Sequence, residues 1–478
     1  LRATHLPTLP RRYSEETPTL VTRLKKHPAM LRAIEARVAA EEAKILEATL
    51  AAVAVDGSEV RELAKRAWEG SANRPLAYRL HALSSWLEGG GKSLSTDARV
   101  GVERTVREGL KRADDVVAIW AELVSDRTLL GAAFAAHAPG EFTEAQLDRA
   151  HKWCAGQAAL AMLESEEQLE EGVRPRKSKR EANPPEHDAG DISRSGIDGR
   201  DVEEGATLDR EDDTLLLRLL QRLRGPLKRG QNTKEALVYE HVLVDEAQDL
   251  SPVEMSVVMN TVSRGQSVTL AGDVAQRLHM DNGFRDWKSL LGELGLDHVE
   301  VEPLKLSYRS TAEILDLARS VLGPLAPADP PVATRSGAPV ELFPFGHSGE
   351  AVAFLGEALR ELMQAEPRAS VAVIARFPEQ ADLYYQGLRT GEVPFLRRVA
   401  DQDFVFRPGV DVTDVRQVKG LEFDYVILVE VSEASYPADD EARHLLHIAA
   451  TRAAHQLWVS CSGRPSQLLP DDLRDRGY

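Results

Sequence analysis

A chain of 478 residues is too long for one hydrophobic core, so about three domains are expected. Its 43% hydrophobic and 28% charged residues are the make-up of a globular protein. No apolar run reaches the roughly 18 residues that span a bilayer and no signal peptide opens the chain, so no membrane partner is expected. Two cysteines, Cys154 and Cys461, exclude a disulfide framework and a zinc site and fit a reducing cytoplasm, while a net charge of -17 counts against a protein living on nucleic-acid phosphates.

Residues 20 to 165 read as helices. Pro28 suits a first helical position, and Leu31, Ile34, Val38 and Ile45 follow at helical spacing. The stretches "DDVVAIWAELV" and "EAQLDRAHKWCAGQAALAML" read the same way, with Trp120 and Trp153 as core residues. Gly91-Lys92-Ser93 has the closing residues of a phosphate-binding loop. That loop needs a glycine six residues before its lysine and a strand in front, and here Trp86 stands at that position after a helical run. The triple glycine is read as a helix stop. From Glu164 to about Asp213 the composition changes. An acidic run "ESEEQLEE" meets a basic run "RPRKSKR", Arg174 to Arg180, and a stretch with little to bury follows. Residues 166–207 are therefore expected to be a solvated, disordered loop whose basic run neutralises its acidic neighbour.

After Leu208 short runs rich in Val and Ile alternate with helical segments: "HVLVDEA", "SVTLAGD", "SVAVIAR" and "DYVILVEV". This is the pattern of buried parallel strands in an α/β sheet. Asp245 and Glu246 stand at the carboxyl end of the first run, the edge where ligands bind in such sheets. Adjacent carboxylates there can hold Mg²⁺ and orient an attacking water. Ser251-Pro252-Val253-Glu254 spells a capping box, so a helix follows. Further along come Gln276 after "LAGD", Arg309 in "LKLSYRST", Gly420 and Glu422 in "VKGLEFD", and Arg452 on an expected helix "HLLHIAATRAAHQLWV". A metal-binding acid, a base, a polar sensor and arginines are the inventory an ATPase needs. His444 and His447 share a helix face without a Cys or carboxylate partner, which argues against a metal site.

From about Leu208 to Trp458 these segments, in order and wording, resemble the motifs of UvrD/Rep-type superfamily 1 helicases. The resemblance implies that Asp245 is the Mg²⁺ ligand and Glu246 the catalytic base. It implies that Gln276, Arg309 and Arg452 address the γ-phosphate, and that Gly420 and Glu422 lie near the nucleotide. The implied cofactors are ATP and Mg²⁺. The implied fold is α/β, with two RecA-like P-loop NTPase-type domains, mostly parallel sheets and ATP in the cleft between them. Three departures accompany it. No phosphate-binding loop occurs, the family's large helical domain between the YRS and KGLEF segments is missing, and Leu278 stands where a strand-contacting aromatic is expected. A stacking ring contributes roughly 1–3 kcal/mol per base, so its loss weakens a grip on DNA.

HelD-like RNA polymerase-associated ATPases also lack that helical domain and carry a helical insertion before the DEAQ segment. The phrases "LDREDDTLLLRLLQRLRGPL", "YEHVLVDEAQDLSPVEM" and "LSYRSTAEI" resemble them closely. On this resemblance residues 1–165 are the helical insertion of the first RecA-like domain and 166–207 the charged loop. Residues 208–300 are the first RecA-like domain, 301–478 the second, and the phosphate-binding loop is expected upstream of Leu1. The implied function is the motor-like ATPase portion of a factor that binds and remodels core RNA polymerase. The alternatives are a repair or replication DNA helicase that unwinds DNA, and a nucleotide-free interaction protein.

Overall fold

The computed structural model describes residues 9–12, 17–89, 94–173, 206–230, 233, 235–277 and 282–476. Gly91-Lys92-Ser93, the basic run Arg174 to Arg180 and Leu278 lie outside them. The chain forms two compact units, Leu1–Ala271 with Asp281–Asp297, and Gly272–Met280 with His298–Tyr478.

The first unit is mainly helical: α1 (Thr19–Lys26), α2 (Pro28–Ala52), α3 (Ser58–Glu69), α4 (Leu76–Gly89), α5 (Thr96–Asp114), α6 (Val116–Ser125), α7 (Arg127–His137), α8 (Glu144–Val173) and α9 (Asp212–Leu223). Local chemistry fixes many of the starts. Pro28 occupies the first turn of α2, where its missing N–H is harmless, and His27 accepts from Ala29 N–H at 3.0 Å. Asp115 and Asp126 cap α6 and α7 through Ala118 and Leu129 N–H at 3.1 and 2.9 Å. Met30, Ile34, Val38 and Ile45 recur on one face of α2 and are buried in a shared helical core.

Two expectations about this unit need correction. Helix α8 runs to Val173, so the acidic run begins inside a helix and the expected loop starts later than residue 166. At the far side, Ala206, Leu208, Asp209 and Asp212 are buried, so the solvated composition does not extend to Asp213. Segment 208–271 is joined to the helices before it. Leu215, Leu216, Leu219 and Leu223 of α9 lie in the same core as α2 and α6, and Arg12 N–H donates to Leu208 C=O at 2.8 Å. Leucines at helical spacing announce a buried face without naming what covers it.

This unit also holds β1 (Tyr239–Val244), α10 (Pro252–Met259), β2 (Val262–Leu270) and α11 (Trp287–Glu293). Strands β1 and β2 pair in parallel, from His241 opposite Ser267 to Val244 opposite Leu270. Among the described residues this pair is the unit's whole sheet, and Leu243 is 65% exposed.

The second unit carries β3 (Leu306–Ser307), α12 (Ala312–Leu322), β4 (Val332–Ala333), β5 (Glu341–Phe345), α13 (Ser348–Ala365), β6 (Ser370–Ala375), α14 (Pro378–Thr390), β7 (Leu396–Arg398), β8 (Gly409–Asp414), β9 (Phe423–Leu428), α15 (Asp440–Ala450), β10 (Ala453–Ser462) and α16 (Asp471–Arg476). Its six-stranded sheet has the order β5-β10-β9-β6-β8-β7 with every pairing parallel. Alternation along β6 shows why the run is wholly apolar. Val371, Val373 and Ala375 face α13 and α14, while Ala372 and Ile374 face α12 and α15. The molecule is thus mixed α/β with parallel sheets and a large helical N-terminal region. Among the described residues no helix is long and apolar enough to cross a membrane.

Candidate functional site

The seven residues singled out in the sequence divide between the units. Asp245 and Glu246 belong to the first; Gln276, Arg309, Gly420, Glu422 and Arg452 belong to the second.

Asp245 follows the last residue of β1 and is exposed. Its Oδ1 accepts the Glu246 N–H at 2.9 Å. Glu246 has a φ of 52°, a left-handed conformation uncommon for a residue with a Cβ. Its carboxylate is held by the buried Gln248, whose Nε2 donates to Glu246 Oε2 at 2.6 Å. Asn282 Nδ2 donates to the Gln248 carbonyl at 2.7 Å and fixes that support in turn. Such strain persists only where the surroundings over-determine it, and it concentrates at functional sites. Ser251 and Glu254 complete the capping box at 3.1 and 2.7 Å and start α10 just beyond. Gln248 was missed in the sequence, although an amide two residues after a carboxylate at a strand end was the available signal.

In the second unit four segments converge at the amino ends of β9 and β10. Asp273 turns the chain, accepting Ala275 N–H and Gln276 Nε2 at 2.9 Å each. Gln276 Oε1 in turn accepts from Arg452 Nη2. Arg452 is fully buried, and its guanidinium also donates to the carbonyls of Ile448 at 2.9 Å and Leu421 at 3.1 Å and to Thr451 Oγ1 at 3.1 Å. It sits in the turn between α15 and β10, which corrects the expected helical placement. The helix ends at Ala450, and Arg452 C=O accepts from Phe423 N–H at 2.9 Å, where β9 starts. Gly420 has a φ of 78°, which a side chain would strain, and open space around its Cα. Glu422 Oε2 accepts from Arg309 Nε at 2.9 Å, and both side chains are substantially exposed. Ser310 Oγ donates to Ala453 C=O at 2.8 Å and ties the Arg309 segment to the start of β10.

The two arginines therefore differ in kind. Arg452 is a fixed buried guanidinium that sets the position of the Gln276 amide; Arg309 is an exposed cation held by one carboxylate. His444 Nδ1 lies 2.9 Å from Ala275 C=O and His447 Nδ1 3.1 Å from Ala318 C=O. Burial pushes His447 below the usual imidazole range. Among the described residues, no group of three or more His, Cys, Asp and Glu side chains is placed to hold a metal ion. An Mg²⁺ ion takes one or two carboxylates and fills its octahedron with waters and phosphate oxygens, so Asp245 suits it as one ligand among several. For a nucleoside triphosphate the fit is incomplete. The cationic and polar groups are here, but no G-x-x-x-x-G-K-[ST] loop to cradle phosphates occurs in the 478 residues.

Residues 409–460, from β8 through most of β10, match the family described as the UvrD-like helicase C-terminal domain. This part of the chain is UvrD-helicase-like. The match contains Gly420, Glu422 and Arg452. No curated protein matches the chain. Among solved structures it is similar to the C-terminal domain of a "possible DNA helicase" from Lactobacillus plantarum WCFS1, at 25% identity over 35% of this chain and 96% of that one, with a TM-score of 0.29. It is also similar to Arterivirus nonstructural protein 10, a helicase, at 17% identity over 60% of this chain and 47% of that one, with a TM-score of 0.26. The helicase-like reading rests on the family match.

Proposed function

We propose that this chain is the motor-like portion of a superfamily 1, HelD-type ATPase whose partner is core RNA polymerase, with RecA-like domains. One observation carries the ATPase part: the buried Arg452, which lies inside the stretch that matches the helicase family, holds Gln276, 176 residues away. In this reading Asp245 is the Mg²⁺ ligand and Glu246 the base that orients and deprotonates the attacking water. Arg309 offsets charge on the transferring phosphoryl group, and Arg452 with Gln276 senses it. ATP bound with Mg²⁺ would supply the phosphoryl group; the chain's own residues position and polarise. The polymerase part rests on the net charge of -17, which suits the basic channels of a nucleic-acid enzyme and repels nucleic acid itself.

Two assays test the reading. Purified as these 478 residues, the protein is expected to hydrolyse ATP at background, because the phosphate cradle is absent; robust turnover abolished by Glu246→Gln would overturn that. Core RNA polymerase should be recovered with the protein at low salt and progressively lost as salt rises. Single-stranded DNA should bind feebly at about 0.15 M salt. Tight, salt-resistant DNA binding with no polymerase recovered would replace this reading with that of a repair helicase.

A further inference from the structure

At the opposite ends of the same strands lies a second concavity. It opens where β5, β9 and β10 terminate, a cavity of about 400 Å³ whose lining includes His347, Gln380, Leu383, Tyr384, Glu430 and Ser462. None of these belongs to the Gln276–Arg452–Arg309 group, which sits at the amino ends. Carboxyl ends of parallel strands are where α/β sheets bind ligands, and the volume is that of a small-molecule site.

Its chemistry is that of a cation receptor. Glu430 has a φ of 55°, again a left-handed backbone at a residue with a Cβ. Its Oε1 accepts from two neutral hydroxyls, Tyr384 at 2.6 Å and Ser462 at 2.9 Å. Among the described residues no cation pairs with it, although many other carboxylates are paired with arginine or lysine. Hydroxyl donors orient a carboxylate without supplying a counter-charge. Gln380 lines the same cavity. Gln380 gives its Nε2 to Ser435 Oγ at 2.9 Å, and its Oε1 has no hydrogen-bond partner. The remaining titratable side chain is turned to its own helix, since His347 Nδ1 accepts the Glu350 N–H at 3.3 Å to cap α13. Leu383 and the Tyr384 ring supply an apolar wall. A carboxylate acceptor and an apolar flank are complementary to a hydrocarbon stem ending in an ammonium.

We propose that this cavity binds an alkylammonium group, with Glu430 as its counter-ion. The group can come from a lysine side chain of a polypeptide or from a free polyamine. The inference is independent of the ATPase reading.

The test is ligand-observed NMR on the full chain with three probes: N-acetyl-lysine N-methylamide, its uncharged norleucine counterpart, and spermidine. The lysine probe should bind, and the norleucine probe at least about tenfold more weakly, the loss expected for a missing charge-assisted hydrogen bond. Glu430→Gln should weaken the lysine probe by a similar factor. Leu383→Trp, at an exposed wall position, should block it without burdening the fold. Stronger binding of spermidine than of the lysine probe identifies a free polyamine as the source, and the reverse order identifies a polypeptide. Equal binding of the lysine and norleucine probes overturns the proposal. So does unchanged affinity in Leu383→Trp, or no binding of either cation up to about 10 mM.

Discussion

Lys25 is fully buried between two carboxylates: its Nζ donates to Asp209 and Asp212 at 2.7 Å each and to Gln157 Oε1 at 3.0 Å. The indole N–H groups of Trp120 and Trp153 close the network at 3.1 Å onto Asp212 and Asp209. Burial works against the ammonium, yet the two aspartates hold its pKa above the ordinary lysine range. Replacing Lys25 with Met would leave two carboxylates buried without a cation. The expected loss is about 3–5 kcal/mol in denaturant-induced unfolding. A loss near zero would mean that water reaches Asp209 and Asp212. Composition could not have shown this cluster: Asp209 and Asp212 fall in a stretch read as solvated, and their partner is 184 and 187 residues away. Trp120 and Trp153 were legible as core residues from helical spacing, but not their polar role. Arg452 was misplaced for a local reason. The apolar run through "LLHIAATRAA" carries no Gly or Pro to mark where α15 ends.

Elements announced by chemistry within a few residues were the readable ones. The start of α10 is one, because Ser251, Pro252 and Glu254 spell a capping box that needs no distant partner. Ser251→Ala should cost roughly 1 kcal/mol, read as a shift in unfolding midpoint, because Glu254 N–H loses its acceptor. A conservative Ser251→Asp should retain most of it. Strands β6 and β9 were visible because both their faces are buried and the residues read as unbroken apolar runs. Strand β10 was not, since its sequence "AAHQLWVSCS" follows a helix directly and reads as its continuation. At the candidate site the residue types and their order were legible. What each arginine touches was not, because the distinction between buried Arg452 and exposed Arg309 is set by packing.

Across the whole molecule, stability should fall as pH drops below neutrality. Burial holds His27 and His447 below the usual imidazole range. The unfolded chain therefore binds those protons first, and stability present above about pH 6.5 is lost as pH falls toward the lowered folded values. Glu41 and Glu141 add a second loss. Burial opposes their ionisation, but hydrogen bonds from Arg112 and Lys44 to Glu41, and from His27 to Glu141, keep both below the ordinary carboxylate range. Their contribution is present above about pH 4.3 and disappears as pH falls through the depressed folded values. Asp212 and Asp414, raised by burial, act in the opposite sense. The descent between about pH 6.5 and 5 therefore belongs to the histidines. Unfolding midpoints measured from pH 8 to 4 should decrease throughout, and a flat profile between pH 7 and 5 would contradict it. The α/β class and the parallel sheets were legible at this scale from alternating runs. Which helices cover the leucine face of α9 was not, since a leucine face is the same whichever core receives it.

The chain passes between its two units three times, after Ala271, after Met280 and after Asp297. Each unit is thereby woven through the other's sequence. Phe284, Leu290 and Leu291 lie buried in the first unit although they follow a segment of the second, and the Ala275 carbonyl that meets His444 precedes them. A protease cutting once at Met280 would not part the molecule into its two bodies. Each fragment would keep a segment of the other's body. No gene boundary placed at one position could express either body whole.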